Sequence, residues 1–388
     1  MTESTLLVLG AARYQLDVIR EAQRRGLRVV VADNIVANPG HRLADASYVV
    51  STTDIDAIER VARSESVQGI VAPCTDVAVP TAAIVAARLG LPGPPPLAAS
   101  LVTSKSAFRR WQKQQQLPSP ETYALNGSTS VRPRGRVVVK PDRSSGSKGT
   151  RIIEDHRGIT EAITTARRLG DGVVVERLVE GHHLTVEGLL RRGRLAWSLV
   201  LDRQTAPDPW CATTGHRLPT ILTAVEVAQA VDAISKTVQS LGLEEGPVDA
   251  DLVWAEDPVV LELSPRLGGN EIASLAKLAS GVNLASAAID AALGLPTRVP
   301  EKAKPLPSAV ILLGTDRAGR LSYDEGEAKA LSAEPWIARL ELDPSGTAVL
   351  PFVEGRAAVG RALITAPDRS GIDSRADEVI ARLGVRAL

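Results

Sequence analysis

The 388-residue sequence is poor in aromatic residues: five Trp, four Tyr and two Phe make up 3% of the chain. Val, Leu and Ala must therefore fill its core. Cysteine is almost absent as well. Cys74 and Cys211 lie far apart with no metal-type spacing, which argues against a disulfide framework and for a reducing compartment. Charge of either sign is not in excess, because Lys+Arg and Asp+Glu both number 45. A protein that coats nucleic acid or an acidic membrane surface is not built this way, although a local basic pocket remains open to it. No apolar run approaches the ~18 residues of a membrane-spanning helix. The opening "MTESTLLVLGAARYQ" is too short in its apolar part for a signal peptide and has no basic leader. The expectation is a soluble cytoplasmic protein without nucleic-acid or membrane partners, long enough for two or three domains.

The N-terminal part alternates. "TLLVLGA" (5–11), "LRVVVAD" (27–33) and "VQGIVAP" (67–73) read as buried strands, with helical patterns in 14–26, 54–64 and 77–90. Such alternation predicts βαβ units and a parallel sheet. "LPGPPP" (91–96) is a rigid break, so a first domain is placed at 1–100. Beyond it the style changes. A helix is expected over 104–116, short strands over 136–140 and 149–153, a helix over 158–170 and a strand over 172–181. A hairpin is expected over 184–202 with its turn at Arg192-Gly193, a helix over 223–242, and two strands over 246–269 around a turn at Glu256-Asp257-Pro258. Residues 203–220, with Pro207, Pro209, Gly215 and Pro219, read as loop. "EKAKPLP" (301–307) is a charged linker, followed by short strands and a last helix over 372–383. The fold class is α/β, turning α+β in the second half. The expected units are 1–100, 101–300 with a lid subdomain at about 120–180, and a small C-terminal module at 301–388.

Chemistry concentrates in four places. "VVVKPDRSSGSKGTRII" (137–153) resembles a phosphate loop. The Walker arrangement needs Gly-Lys-Ser/Thr ahead of a helix, whereas here Lys148 precedes Gly149 and a strand follows. Backbone N–H groups of Ser145, Gly146, Ser147 and Lys148 could still cradle phosphates; an ordinary hairpin loop has the same composition. "LGAARY" (9–14) holds one glycine of the dinucleotide fingerprint and Asp33 ends the second strand, a half match that reads as a relic of fold rather than a cofactor site. Asp249 and Asp251 share a strand face. If their strand pairs with the next one around the turn, Asp251 and Glu262 come together, and two close carboxylates that stay ionised want a cation. "SPRLGGN" (264–270) puts Arg266 beside these acids, where it could clamp a transferring phosphoryl group or simply pair with Glu262. His182, His183 and His216 lack zinc-type spacing and read as hydrogen-bonding residues.

In this order the pieces resemble the ATP-grasp superfamily of carboxylate–amine ligases, over roughly residues 1–300. The resemblance implies a Rossmann-like pre-ATP-grasp domain that binds no dinucleotide, then an ATP-grasp fold. It implies that Lys105 in "TSKSAFRR" and Lys140 in "VVVKP" are the nucleotide lysines. The small residues 144–149, from Ser144 on, match the lid over the β- and γ-phosphates. "VVVERLVEG" matches the adenine hinge, with Glu176 accepting from the adenine amino group and the backbone of Arg177 and Val179 reading the purine edge. His183 takes the place of a ribose-binding glutamate. Asp251 and Glu262 match the metal-binding acids, and Ser264 stands where members usually have asparagine, as a weaker oxygen ligand. Arg266 and Asn270, with Lys148, match the residues around the γ-phosphate and the carboxylate substrate. The implied cofactors are ATP and Mg²⁺, with Mn²⁺ as an alternative ion, and the implied partners are small-molecule carboxylates and amines. His216 and Arg217 are expected to contact substrate, and the C-terminal module to shape specificity or a homodimer contact. The implied chemistry is an acyl phosphate formed with release of ADP and captured by an amine. Rival readings are a purine-pathway carboxylase or formyl-transfer enzyme, an NAD-dependent oxidoreductase on the N-terminal sheet, and a non-catalytic ATP-binding protein.

Overall fold

The computed structural model describes residues 4–125, 131, 133–155, 157–299 and 304–388. Parts of the expected lid (126–130, 132 and 156) and of the charged linker (301–303) lie outside them.

The apolar runs of the N-terminal part form a four-stranded parallel sheet in the order Ala46–Tyr48, Arg28–Ala32, Thr5–Leu9, Gly69–Val71. The strand Thr5–Leu9 is buried along its whole length, as a run without polar alternation requires. One face of this sheet is covered by the helices Ile55–Ser64 and Val79–Leu89. The other packs on Leu16–Arg24 and on two helices that return from later in the chain, Ile272–Ser280 and Leu284–Ala292. Those two helices are the mortar of the molecule: their Leu275, Leu284 and Ile289 meet Leu6 and Val8 as well as Leu189, Leu199 and Leu201 of the second sheet in one continuous core.

The second sheet has eight antiparallel strands, in the order Pro258–Ser264, Gly246–Trp254, His182–Arg191, Arg194–Thr205, Thr213–Leu218, Ser308–Leu313, Gly360–Thr365, Ile337–Leu342. The hairpin turn falls at Arg192 (φ 54°) and Gly193 (φ 71°), as read from the sequence. One expectation is corrected here. Residues 203–220 are not all loop, because the strand from Arg194 runs on to Thr205 and Thr213–Leu218 is itself a strand. Pro207 and Pro209 sit in the connection and Pro219 follows the strand's end. None of them takes a place in the ladder, where the missing N–H would matter. That strand also joins the C-terminal segment to the rest, since Thr213–Leu218 pairs with Ser308–Leu313. The last 80 or so residues thus extend the central sheet, backed by the helices Glu325–Ser332 and Arg369–Leu383. A smaller antiparallel sheet, ordered Thr122–Tyr123, Val173–Arg177, Val137–Pro141, Arg151–Ile153, stands over one end of the large one with its own core under the helix Ile159–Arg167. Among the described residues no single helix is long and apolar enough to cross a membrane.

Candidate active site

A cavity of about 870 Å³ opens where the small sheet, the large sheet, the N-terminal unit and the C-terminal segment meet. Its floor is set by strand register. Gly246–Trp254 pairs with Pro258–Ser264 so that Asp251 lies opposite Glu262 and Asp249 opposite Ser264. The two acids singled out from sequence are therefore cross-strand neighbours. Asp251 Oδ1 accepts from the Thr185 hydroxyl at 2.6 Å, and Arg203 Nη1 stands 3.3 Å from Oδ2. Glu262 Oε1 is 3.5 Å from Lys105 Nζ and 4.0 Å from Lys140 Nζ. Burial works against ionisation of Glu262, but Lys105, Lys140 and Arg203 outweigh it and hold the carboxyl at about 2. Its side chain is 44% exposed, so its oxygens remain open to the cavity.

Each lysine is delivered by its element. Lys105 opens the helix Lys105–Gln114, which Ser104 caps by accepting from the Ala107 amide; this satisfies one of the orphan N–H groups of the first turn. Its ammonium donates to the Ser144 carbonyl at 2.9 Å. Lys140 projects from Val137–Pro141 and pairs with Glu176 Oε2 at 2.8 Å, while Glu176 Oε1 accepts from Arg109 Nε at 2.7 Å. All three are buried. Burial would raise the Glu176 carboxyl, but Lys140 and Arg109 pull it below the usual range. This corrects the role expected of Glu176: both oxygens are engaged by cations, so it positions Lys140. The backbone at Arg177 is also engaged, its N–H donating to the Glu121 carbonyl, whereas the Val179 amide takes no backbone partner among the described residues.

The loop Ser144–Gly149 folds over the cavity. Gly146, Ser147 and Gly149 have φ of 64°, 60° and 72°, a left-handed run that glycine tolerates and serine adopts at a cost. Ser144 Oγ donates to the Lys148 carbonyl at 3.1 Å, and Ser147 Oγ to the Cys211 carbonyl at 2.9 Å. The Gly355 N–H donates to the Gly146 carbonyl at 2.9 Å, which ties the loop to the C-terminal segment. Ser144, Ser145, Gly146, Ser147 and Lys148 all line the cavity.

Arg266 departs from its expected role. Its Nε and Nη2 bind Asp76 Oδ1 at 2.9 and 2.5 Å, and its Nη1 binds Asp249 Oδ2 and the Leu267 carbonyl. A guanidinium held by two carboxylates is not free to clamp a phosphoryl group. Asn270 lines the cavity nearby in a left-handed conformation (φ 53°). Ser264 borders a small void of about 40 Å³ shared with Lys105, Asp249, Asp251 and Glu262; its hydroxyl is buried without a protein partner. Behind this lies Glu187, fully buried and opposite Asp249, with the Gly268 amide 3.1 Å from its Oε2. A Cβ at Gly268 would come 2.6 Å from Glu187 Oε2 and 2.9 Å from Asp249 Oδ1. Burial raises the Glu187 carboxyl well above its usual range, with Asp249 adding to it; burial also raises Asp249, to about 6, against the pull of Arg266.

His183 lines the cavity with Nδ1 buried and unpartnered, and burial lowers its pKa. His216 lines it too, whereas Arg217 does not. Successive strand residues face opposite sides, and Arg217 points away to Asp373 at 2.6 Å, which corrects its expected substrate contact. Asp33 accepts from the Ala11 and Ile35 amides and the Asn38 side chain, holding the loop after its strand. Sequence reasoning missed Arg203, Thr185, Glu187, Arg109 and Asp76. Thr185 and Glu187 alternate along a strand and were findable by period; Arg203 fell in the stretch taken for loop.

The donor set fits a hard divalent cation. Asp251, Glu262 and the Ser264 hydroxyl offer oxygen donors that could share such an ion with phosphate oxygens and water, while among the described residues no group of three or more His, Cys, Asp or Glu could hold a metal ion by itself. Two carboxylates with room for phosphate oxygens and water is the arrangement Mg²⁺ uses at nucleotides.

Comparison with known proteins agrees with this geometry. Residues 102–270 match the model of the ATP-grasp domain. An uncharacterised protein of Sinorhizobium fredii is 27% identical over 342 residues, covering 84% of this chain and 70% of that protein. A formate-dependent phosphoribosylglycinamide formyltransferase of Burkholderia pseudomallei is 29% identical over 341 residues, 81% of each chain. Among solved structures, an L-amino acid ligase from Bacillus licheniformis superposes with a TM-score of 0.84 at 18% identity, covering 100% of this chain and 98% of that one. A phosphoribosylglycinamide synthetase from Anaerococcus prevotii gives 0.78 at 15% identity, covering 100% of both. Residues 102–270 thus match an ATP-grasp domain, and the whole chain shares the fold of these solved structures.

Proposed function

We propose that the protein is an ADP-forming carboxylate–amine ligase that activates a small carboxylate as an acyl phosphate and passes it to an amine. The observation that carries the reading is the cross-strand pair Asp251–Glu262, set among Lys105, Lys140 and Arg203 beneath a glycine-bearing loop, with the Glu262 carboxyl held low by those cations. Lys105 and Lys140 supply charge to the phosphates, the hinge at 176–179 holds the base, and His183 faces the sugar. Asp251 and Glu262, with the Ser264 hydroxyl beside them, hold Mg²⁺, which when bound neutralises charge on the β- and γ-phosphates. Lys148 and the amides of 145–148 cover the phosphates, and Asn270 lies on the acceptor side. Closure of that loop keeps water from the acyl phosphate. The reaction runs in the cytoplasm on small molecules, and a homodimer contact through the C-terminal segment belongs to the same reading.

A second reading stays in play because of the formyltransferase likeness across 81% of both chains: activation of formate or bicarbonate instead of a larger acid. One experiment covers both. ADP release is measured against a matrix of amino acids, formate, bicarbonate and other small carboxylates, with amines added and products identified by mass. An amide product supports the ligase, whereas ADP release only with formate or bicarbonate moves the assignment to the second reading. No ADP release with any acid favours a non-catalytic ATP-binding protein.

A further inference from the structure

An acid activated on ATP has to meet cationic donors where its carboxylate and the γ-phosphoryl group converge, because charge develops there. Among the described residues, six arginines border the cavity. Arg266 is held by Asp76 and Asp249, which leaves that corner net negative and repels an incoming anion. Arg361 is paired with Glu271 and Glu341, Arg13 with Asp343 and Arg356 with Glu354. Arg177 turns outward toward Glu121.

Arg203 is bound differently. Its Nε–H goes to a neutral hydroxyl, Thr213 Oγ1, at 2.8 Å, and Nη2 reaches only the Cys211 carbonyl, at 3.4 Å. The one carboxylate within ion-pair distance of it among the described residues is Asp251, 3.3 Å from Nη1, while Glu262 acts on it from farther off. The Asp251 carboxylate already accepts from Thr185 and belongs to the acids read as metal ligands. The guanidinium, 12% exposed into the cavity, therefore keeps N–H groups on both Nη atoms for an anion. Directly across the strand pair stands His216, on the same face. It is 1% exposed, and both of its ring nitrogens are buried without a partner among the described residues. Burial, and then the charge of Arg203, keeps the ring neutral, so it has one N–H to donate. A buried polar group without a partner is costly unless a ligand supplies one, and this one sits beside an under-committed guanidinium.

We infer that Arg203, with His216 beside it, is the anion clamp of the site: it binds the carboxylate as that becomes an acyl phosphate, then the orthophosphate that leaves. This rests on the ligase reading. A carboxylate oxygen bonds to the γ-phosphorus as the bond to the β,γ-bridging oxygen breaks, and ADP departs with that electron pair. The amine nitrogen then bonds to the acyl carbon as the carbon–oxygen bond to phosphate breaks. Orthophosphate departs with the electron pair, and the amine proton passes to it. Arg203 touches the same phosphoryl oxygens throughout.

The test uses the full chain with Mg-ADP bound and orthophosphate as the probe, followed by calorimetry. R203Q is expected to keep Mg-ADP affinity within about threefold and to weaken orthophosphate binding about tenfold or more. R217Q, on the same sheet but its opposite face, is expected to bind both as the wild type does. Should R203Q not fold, R203K carries the same comparison, because it keeps the charge and loses the fork, with a loss of about fivefold. Unchanged orthophosphate binding in the variant overturns the inference. So does a parallel loss of Mg-ADP, which would make Arg203 a support for Asp251, and so does a wild-type complex that binds no orthophosphate. Failure of the ligase reading is separate: it appears as missing ADP release and leaves the orthophosphate comparison intact.

Discussion

Glu176 shows how a residue's surroundings decide its work. Lys140 and Arg109 close on its two oxygens in a buried triad, and removing one member of such a group leaves uncompensated buried charge. Glu176→Ala should therefore destabilise the protein by roughly 3–5 kcal/mol, measured by denaturant unfolding. A residue that only read adenine would leave stability unchanged. Glu187 makes the opposite prediction. Its folded pKa is raised, chiefly by burial, so holding it ionised costs stability that grows as pH rises above its unfolded value. Glu187→Gln keeps an acceptor for the Gly268 amide and removes the charge. The variant should gain in Tm on the wild type as pH goes from about 5 to 8; a gap that shrinks over that range contradicts the account. At Gly268, Ala would drive its Cβ to within 2.6 Å of Glu187 Oε2, and a drop in Tm with loss of ADP release is expected there.

At the scale of elements, the loop Ser144–Gly149 is the part the chemistry leans on most. Deleting Ser145–Lys148 should abolish most ADP formation while far-UV circular dichroism and Tm stay near wild type, since the core of the small sheet lies beneath the loop, in Val137, Val139, Ile153 and Val175. Turnover that survives the deletion removes the lid from the mechanism. Elements also mark how far the sequence could be read. Continuous apolar runs announced the strands Thr5–Leu9 and Arg28–Ala32, and the turn at 256–258 announced the hairpin, but a one-residue register shift between Asp251 and Leu252, which the turn does not announce, is what brings Asp251 opposite Glu262. Thr213–Leu218 escaped notice because prolines flank it, Gly215 interrupts it, and one of its two partners, Ser308–Leu313, lies far off in sequence. With it went Arg203, whose position beside His216 exists only through that pairing. Arg266 was found but misjudged, since Asp76, 190 residues away, takes its guanidinium.

For the whole molecule, the eight-stranded sheet does not stop at the matched domain, residues 102–270. Ser308–Leu313 is buried at every position and bonds to Thr213–Leu218, and Gly355 reaches back to the loop Ser144–Gly149. A chain cut at 299 should lose cooperative unfolding, because an interior strand becomes an uncovered edge. A stable truncated protein with full Mg-ADP affinity would show instead that the C-terminal segment is an appendage.

The central claim is that Asp251 and Glu262, set opposite one another by one hairpin and its register shift, serve ATP-dependent activation of a carboxylate. The most direct test is carboxylate-dependent ADP release by the wild type and by Glu262→Ala across the substrate matrix. The account predicts release with at least one acid for the wild type and a fall on the order of a hundredfold or more for the variant, with its fold retained. Equal release from the two proteins would contradict it.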